Sequence, residues 1–142
     1  GSEMCIRDSL LMVVCLLIAS CSKEESQPET GEAGIYHITV TVTGNSPKGS
    51  IHLYNLNGVK FRNERNGTSS IYIDESFTGK VEYNTEAPVS QITAQSILYS
   101  KENATITMQV TRNGKSVFHQ SKQTNANPGI DTTVDLVYST VK

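Results

Sequence analysis

From Ile35 onward, apolar and polar residues take turns along the chain. In IYHITVTVT, Tyr36, Ile38, Val40 and Val42 alternate with His37, Thr39, Thr41 and Thr43. Successive side chains of a strand point to opposite faces, so this period of two marks a strand with one face buried. The pattern returns at 50–56 (SIHLYNL), 70–76 (SIYIDES), 79–84 (GKVEYN), 89–99 (VSQITAQSILY), 104–111 (ATITMQVT), 115–123 (KSVFHQSKQ) and 132–140 (TTVDLVYST). No stretch carries a convincing 3.6-residue apolar period.

The intervals are turn material. Gly44-Asn45-Ser46-Pro47-Lys48-Gly49 follows the first strand, RNERNGTS (62–69) reads as a polar loop, and NANPGID carries Pro and Gly breakers. Arg112-Asn113-Gly114-Lys115 is the clearest of them. Asn-Gly suits a type I′ turn, whose two central residues both need positive φ, so a tight hairpin joins 104–111 to 115–123. Seven or eight short strands about ten residues apart predict an all-β, antiparallel, immunoglobulin-like sandwich over residues 35–142. An eight-stranded up-and-down barrel is the competing architecture. The unequal connections at 101–103 and 124–131 favour the sandwich.

The N-terminal region is of a different kind. Gly1 to Asp8 resembles a translated sequencing adapter, with Ser9 a hybrid, so residues 1–9 are set aside from fold reasoning. LLMVVCLLIASC (10–21) is an apolar run too short to span a bilayer comfortably, and 10–20 suits the h-region of a secretory signal. Its end, Ile18-Ala19-Ser20-Cys21, resembles the bacterial lipobox, which implies lipidation of Cys21. Ser22-Lys23-Glu24-Glu25 resembles the export signal of Bacteroidota lipoproteins, which implies display on the outer membrane facing outward; retention on the periplasmic face is the alternative. Residues 21–34 would then be the lipidated cysteine and a polar tether containing Pro28. Two or more acyl chains suffice for stable anchoring.

Leaving Arg7 out of the twelve bases, and Glu3 and Asp8 out of the fourteen acids, gives eleven against twelve, a formal charge of −1. No basic face for nucleic acid is in prospect. The three cysteines, Cys5, Cys15 and Cys21, all precede the domain. Disulfides, thiol nucleophiles and cysteine-ligated metal are therefore excluded from it.

Little else points to chemistry. His37 falls opposite Ile38, and His52 opposite Ile51 and Leu53, so both are expected to face solvent. His119 shares parity with Val117 and is expected to be partly buried; no metal site is expected. Asp74 and Glu75 are adjacent, so they point to opposite faces and cannot share a substrate. There is no Gly-x-Ser-x-Gly elbow and no phosphate loop, hence no catalytic residue and no cofactor. Asn66-Gly67-Thr68 and Asn103-Ala104-Thr105 match an N-glycosylation pattern that most bacteria do not use. Asp131-Thr132-Thr133 resembles the Bacteroidota O-glycosylation pattern, which implies modification of Thr132. Tyr54 and Tyr72 have outward parity, as a stacking platform for a sugar would require.

The stretch ITAQSILYSKENATITMQVTRNGKSVFHQS, together with the opening IYHITVTVTG, resembles the small sandwich domains of the MmpS family, membrane-anchored accessory proteins of RND-type exporters. That likeness implies an immunoglobulin-like fold and no catalytic motif. The chain departs from it in carrying a lipobox cysteine where that family has a transmembrane helix. The expectation is a non-enzymatic envelope lipoprotein that binds a protein or glycan partner, with an exporter accessory or a small envelope enzyme as alternatives.

Overall fold

The computed structural model describes residues 33–126 and 129–141. The adapter-like residues, the signal, Cys21 and the Ser22-Lys23-Glu24-Glu25 cluster lie outside the described residues. Ten strands form: β1 (Tyr36–Gly44), β2 (Lys48–Asn55), β3 (Phe61–Asn63), β4 (Ser69–Ser70), β5 (Ile73–Phe77), β6 (Lys80–Thr85), β7 (Ile92–Ser100), β8 (Ala104–Arg112), β9 (Lys115–Thr124) and β10 (Thr132–Ser139). No helix occurs among the described residues.

The strands make two antiparallel sheets. One runs β4-β3-β6-β1-β8-β9 and the other β10-β7-β2-β5. Only the β3–β4 and β8–β9 connections stay within a sheet; every other one carries the chain across to the opposite sheet. Two open sheets exclude the closed barrel and bear out the sandwich. The excess over the expected seven or eight strands has a local cause. Within the expected polar loop, Phe61–Asn63 pairs with both β6 and Ser69–Ser70. The expected strand at 70–76 is also shifted, because Ile71 and Tyr72 sit in a bend as the chain crosses between sheets.

The alternation does what its period dictates. Tyr36, Ile38, Val40 and Val42 of β1 pack inward with Ile106, Met108 and Val110 of β8, against Ile51, Leu53, Ile92, Ala94 and Leu98 of the other sheet. Each fully buried aliphatic side chain contributes about 1.5–3 kcal/mol relative to exposure. The whole core lies between Tyr36 and Tyr138. The β8–β9 hairpin turns at Asn113 (φ 52°) and Gly114 (φ 83°), both positive as expected.

The two flanks of the sandwich differ. On one, β9 and β10 approach each other, and Phe118 and Tyr138 close the gap with ring centroids 5.5 Å apart. On the other, β5 faces β3 and β6 across an open cleft. The two ends differ as well. The chain enters the domain at Gly34, which bridges to Val89, beside the turns at 55–61, 70–73, 85–92 and 112–115. The turns at 44–48, 77–80 and 100–104, with the end of β9 at Thr124 and the start of β10 at Thr132, lie at the far end.

Candidate functional site

The open flank holds a cleft of about 440 Å³, lined by Lys48, Asn63, Arg65, Asn66, Glu75, Ser76, Phe77, Thr78 and Val81. Its floor is polar for a local reason. Ile73, Glu75 and Phe77 share parity on β5, so a carboxylate stands where an inward apolar side chain would otherwise be. The buried Tyr83 on β6 meets it, and the phenol donates a hydrogen bond to Glu75 Oε2. Asn63 Nδ2 donates to the same phenol oxygen at 3.3 Å, while Asn63 Oδ1 accepts from the Arg65 amide at 2.8 Å. That second bond is an Asx turn, and it sets the 63–66 loop over the cleft.

Burial and the Glu75 carboxylate push the Tyr83 phenol well above its ordinary value, so it remains a protonated donor. The cations are less engaged. Arg65 Nη2 donates to the Lys80 carbonyl, and neither Arg65 nor Lys48 makes an ion pair among the described residues. At the cleft margin the Phe77 ring lies over Gly49, where a Cβ would come within 2.6 Å of the ring edge. A larger residue at 49 would displace the ring.

The histidines fall as follows. His37 and His52 reach their outer sheet faces as expected, half-buried, and each finds a carboxylate. His37 Nε2 lies 3.1 Å from Glu82, and His52 Nδ1 lies 3.1 Å from Asp74. His37 also contacts Asn84, whose amide donates to Glu64. His119 departs from expectation. Val110 pairs with Phe118 but Thr111 pairs with Ser116, so Val117 is an extra residue. This bulge reverses the parity of β9, turning Phe118 inward and exposing His119. Among the described residues, no three His, Cys, Asp or Glu side chains gather.

The carboxylate pair separates as expected: Asp74 faces out to His52, and Glu75 faces the cleft. Thr132 is half-buried, and its hydroxyl donates to the Ser100 carbonyl at 3.1 Å. Tyr54 and Tyr72 are both exposed. Because Leu53 pairs with Ile73, continuing the β2–β5 register one step brings Tyr54 and Tyr72 to the same end of the sheet. They stand at the end where the chain enters, away from the cleft. Sequence reasoning missed the cleft itself, because four separate segments build it. The one readable signal was Glu75 in step with Ile73 and Phe77.

No family profile and no functionally curated protein matches the chain. Solved structures do match it. A DUF4425 family protein from Bacteroides ovatus superposes with a TM-score of 0.61 at 20% identity, covering 78% of this chain and 98% of its own. A protein from Parabacteroides distasonis, solved by NMR in its calcium-bound form, gives 0.59 at 19% identity, with coverages of 76% and 94%. A DUF4425 domain of unknown function from Bacteroides vulgatus gives 0.58 at 20% identity, with coverages of 78% and 97%. At this identity the likeness is one of fold, and the chain is an all-β sandwich similar to the DUF4425 domains of Bacteroides.

Proposed function

We propose that this protein is a non-catalytic binding module of the bacterial cell envelope, anchored through a lipid on Cys21 at the outer membrane, whose cleft takes an acidic saccharide. The observation that carries the reading is the cleft's donor set. Lys48 and Arg65 offer charge to a carboxylate, Glu75 accepts from hydroxyls, Asn66, Ser76 and Thr78 offer further hydrogen bonds, and Phe77 supplies an apolar surface. Mixed polar groups around an apolar patch suit a hydroxylated ligand, and cations select a charged one.

The test is calorimetric titration of the mature chain, residues 21–142, with oligogalacturonate and with its carboxyl-reduced, neutral counterpart. Binding of the acidic form alone, lost in Arg65→Ala and in Lys48→Ala, is the expected result. Equal binding of both sugars, or indifference to the two substitutions, would reject the acidic-saccharide assignment. Anchoring is tested separately. Cys21→Ala should move the protein out of the membrane fraction, and changing Lys23, Glu24 and Glu25 to Ala should protect it from protease added to intact cells.

A further inference from the structure

Among the described residues, large apolar side chains exposed to solvent are concentrated at the end where the chain enters the domain. Ile35 (39% exposed), Tyr54 (40%), Leu56 (59%), Ile71 (56%) and Tyr72 (51%) all stand there, against Val137 along β10 and Tyr99 and Ile130 toward the far end. None of these five is spent on the core. Lys60, Arg62 and Lys115 are exposed on the same end, with Glu86 beside them. Tyrosines flanked by aliphatic and basic side chains have the chemistry of the bilayer interface, where amphipathic rings settle at headgroup level and cations meet anionic lipids.

We infer that this end of the sandwich docks on the lipid surface, its occupant being the bilayer to which the chain is tethered. The inference rests on the lipid-anchoring reading for its setting. Twelve residues separate Cys21 from Gly34. Fully extended they span at most about 43 Å, little more than the length of a nine-residue strand plus its turns, so the domain stays within about its own length of the membrane. The end nearest the chain's point of arrival meets the lipid first. Docking there directs the Lys48–Arg65–Glu75 cleft away from the membrane. Tyr54 and Tyr72 are accordingly membrane contacts and not a sugar platform.

The chain has no tryptophan, so one introduced indole is a unique reporter. The mature chain, residues 21–142, has Cys21 as its sole thiol and can be coupled to maleimide lipid in vesicles of phosphatidylcholine and phosphatidylglycerol. Attachment is then assured whether or not cells lipidate this cysteine, so docking and natural anchoring are judged independently. With acyl chains brominated near the headgroup, Tyr72→Trp fluorescence should fall at least twofold, while Tyr99→Trp on β7 stays within a tenth of its value in unbrominated vesicles. Adding Leu56→Ser and Ile71→Ser to the Tyr72→Trp chain should restore its emission, with an unchanged urea midpoint showing that the fold is intact. Equal quenching at the two positions, or no quenching at Tyr72→Trp, would overturn the proposal. So would an emission change at Tyr72→Trp that only a soluble glycan produces.

Discussion

The two ends of the sandwich are built by the same strands and present different side chains to solvent. At the far end the β1–β2 and β7–β8 corners lie close together. Gly44 leaves β1 with φ +134°, and a Cβ there would lie 2.9 Å from both the Ala104 Cβ and the Asn103 carbonyl oxygen. Asn45 Nδ2 donates to Glu102 across the same corner, and the Ala126 amide donates to Asn103 Oδ1. Where the chain enters, the turns are held by the Gly34–Val89 bridge and the Asn55 side chain, but they carry large side chains outward, and Leu56 and Ile71 are more than half exposed. Both ends are fixed in geometry, and this one also presents an apolar surface. Substitutions at the first should therefore read out in stability, and at the second in what the domain touches.

The largest effect is expected at Gly44. Gly44→Val combines an unfavourable positive φ with a clash against backbone that cannot swing away, and should lower the unfolding free energy by about 3 kcal/mol in urea melts. A loss below about 0.5 kcal/mol would show that the corner relaxes and that the ends are not so different. Next comes the cleft floor. Tyr83→Phe leaves Asn63 Nδ2 and Glu75 without their shared partner, and should cost about 1 kcal/mol, because water can reach this open flank. The same variant should weaken saccharide binding by displacing Glu75, which separates it from a purely structural loss.

At the tether end the stability effect shrinks. Leu56→Ser with Ile71→Ser should change the unfolding free energy by no more than about 0.5 kcal/mol, measured by the same melts, while abolishing the proposed docking. The smallest effect belongs to neither end, and calibrates both. On the outer face of the six-stranded sheet, burial opposes ionisation of Glu82, but the hydrogen bond with His37 and the Lys80 charge outweigh it and hold the carboxyl below the ordinary carboxylate range. A depressed carboxyl contributes stability above its unfolded value and loses it as the pH falls through its folded one. Glu82→Gln should thus melt slightly earlier than the parent at pH 7, and the difference should vanish in acid once the Glu82 carboxyl is protonated in the folded protein too. Solvent screening around this exposed group keeps the difference small.

Much of this molecule was readable from residue order. Strands β1, β7, β8 and β10 fall within a few residues of their alternating stretches, because a side chain's face depends only on its position along its own strand. The Asn113-Gly114 turn and the opposed faces of Asp74 and Glu75 follow from local geometry in the same way. What failed was also local in appearance. The Val117 bulge carries no mark in the sequence; it arises because β9 must keep pairing with β8 while Phe118 seeks Tyr138. The small strand at 61–63 exists because β6 offers it an edge, and 69–70 pairs in turn on 61–63.

Residue order by itself thus determined an antiparallel all-β domain, its core rows and its one tight hairpin, since all three need only the two-residue period and the φ preferences of single residues. Tertiary structure alone decided which strands became neighbours, that β5 and β6 stand apart while β9 and β10 close, and that Lys48, Asn63, Arg65 and Glu75 share a cleft. It also gathered Ile35, Tyr54, Leu56, Ile71 and Tyr72 at one end. The physical reason is that these placements depend on where crossing connections carry the chain between sheets, and contacts between segments ten or more residues apart leave no periodic trace along the chain.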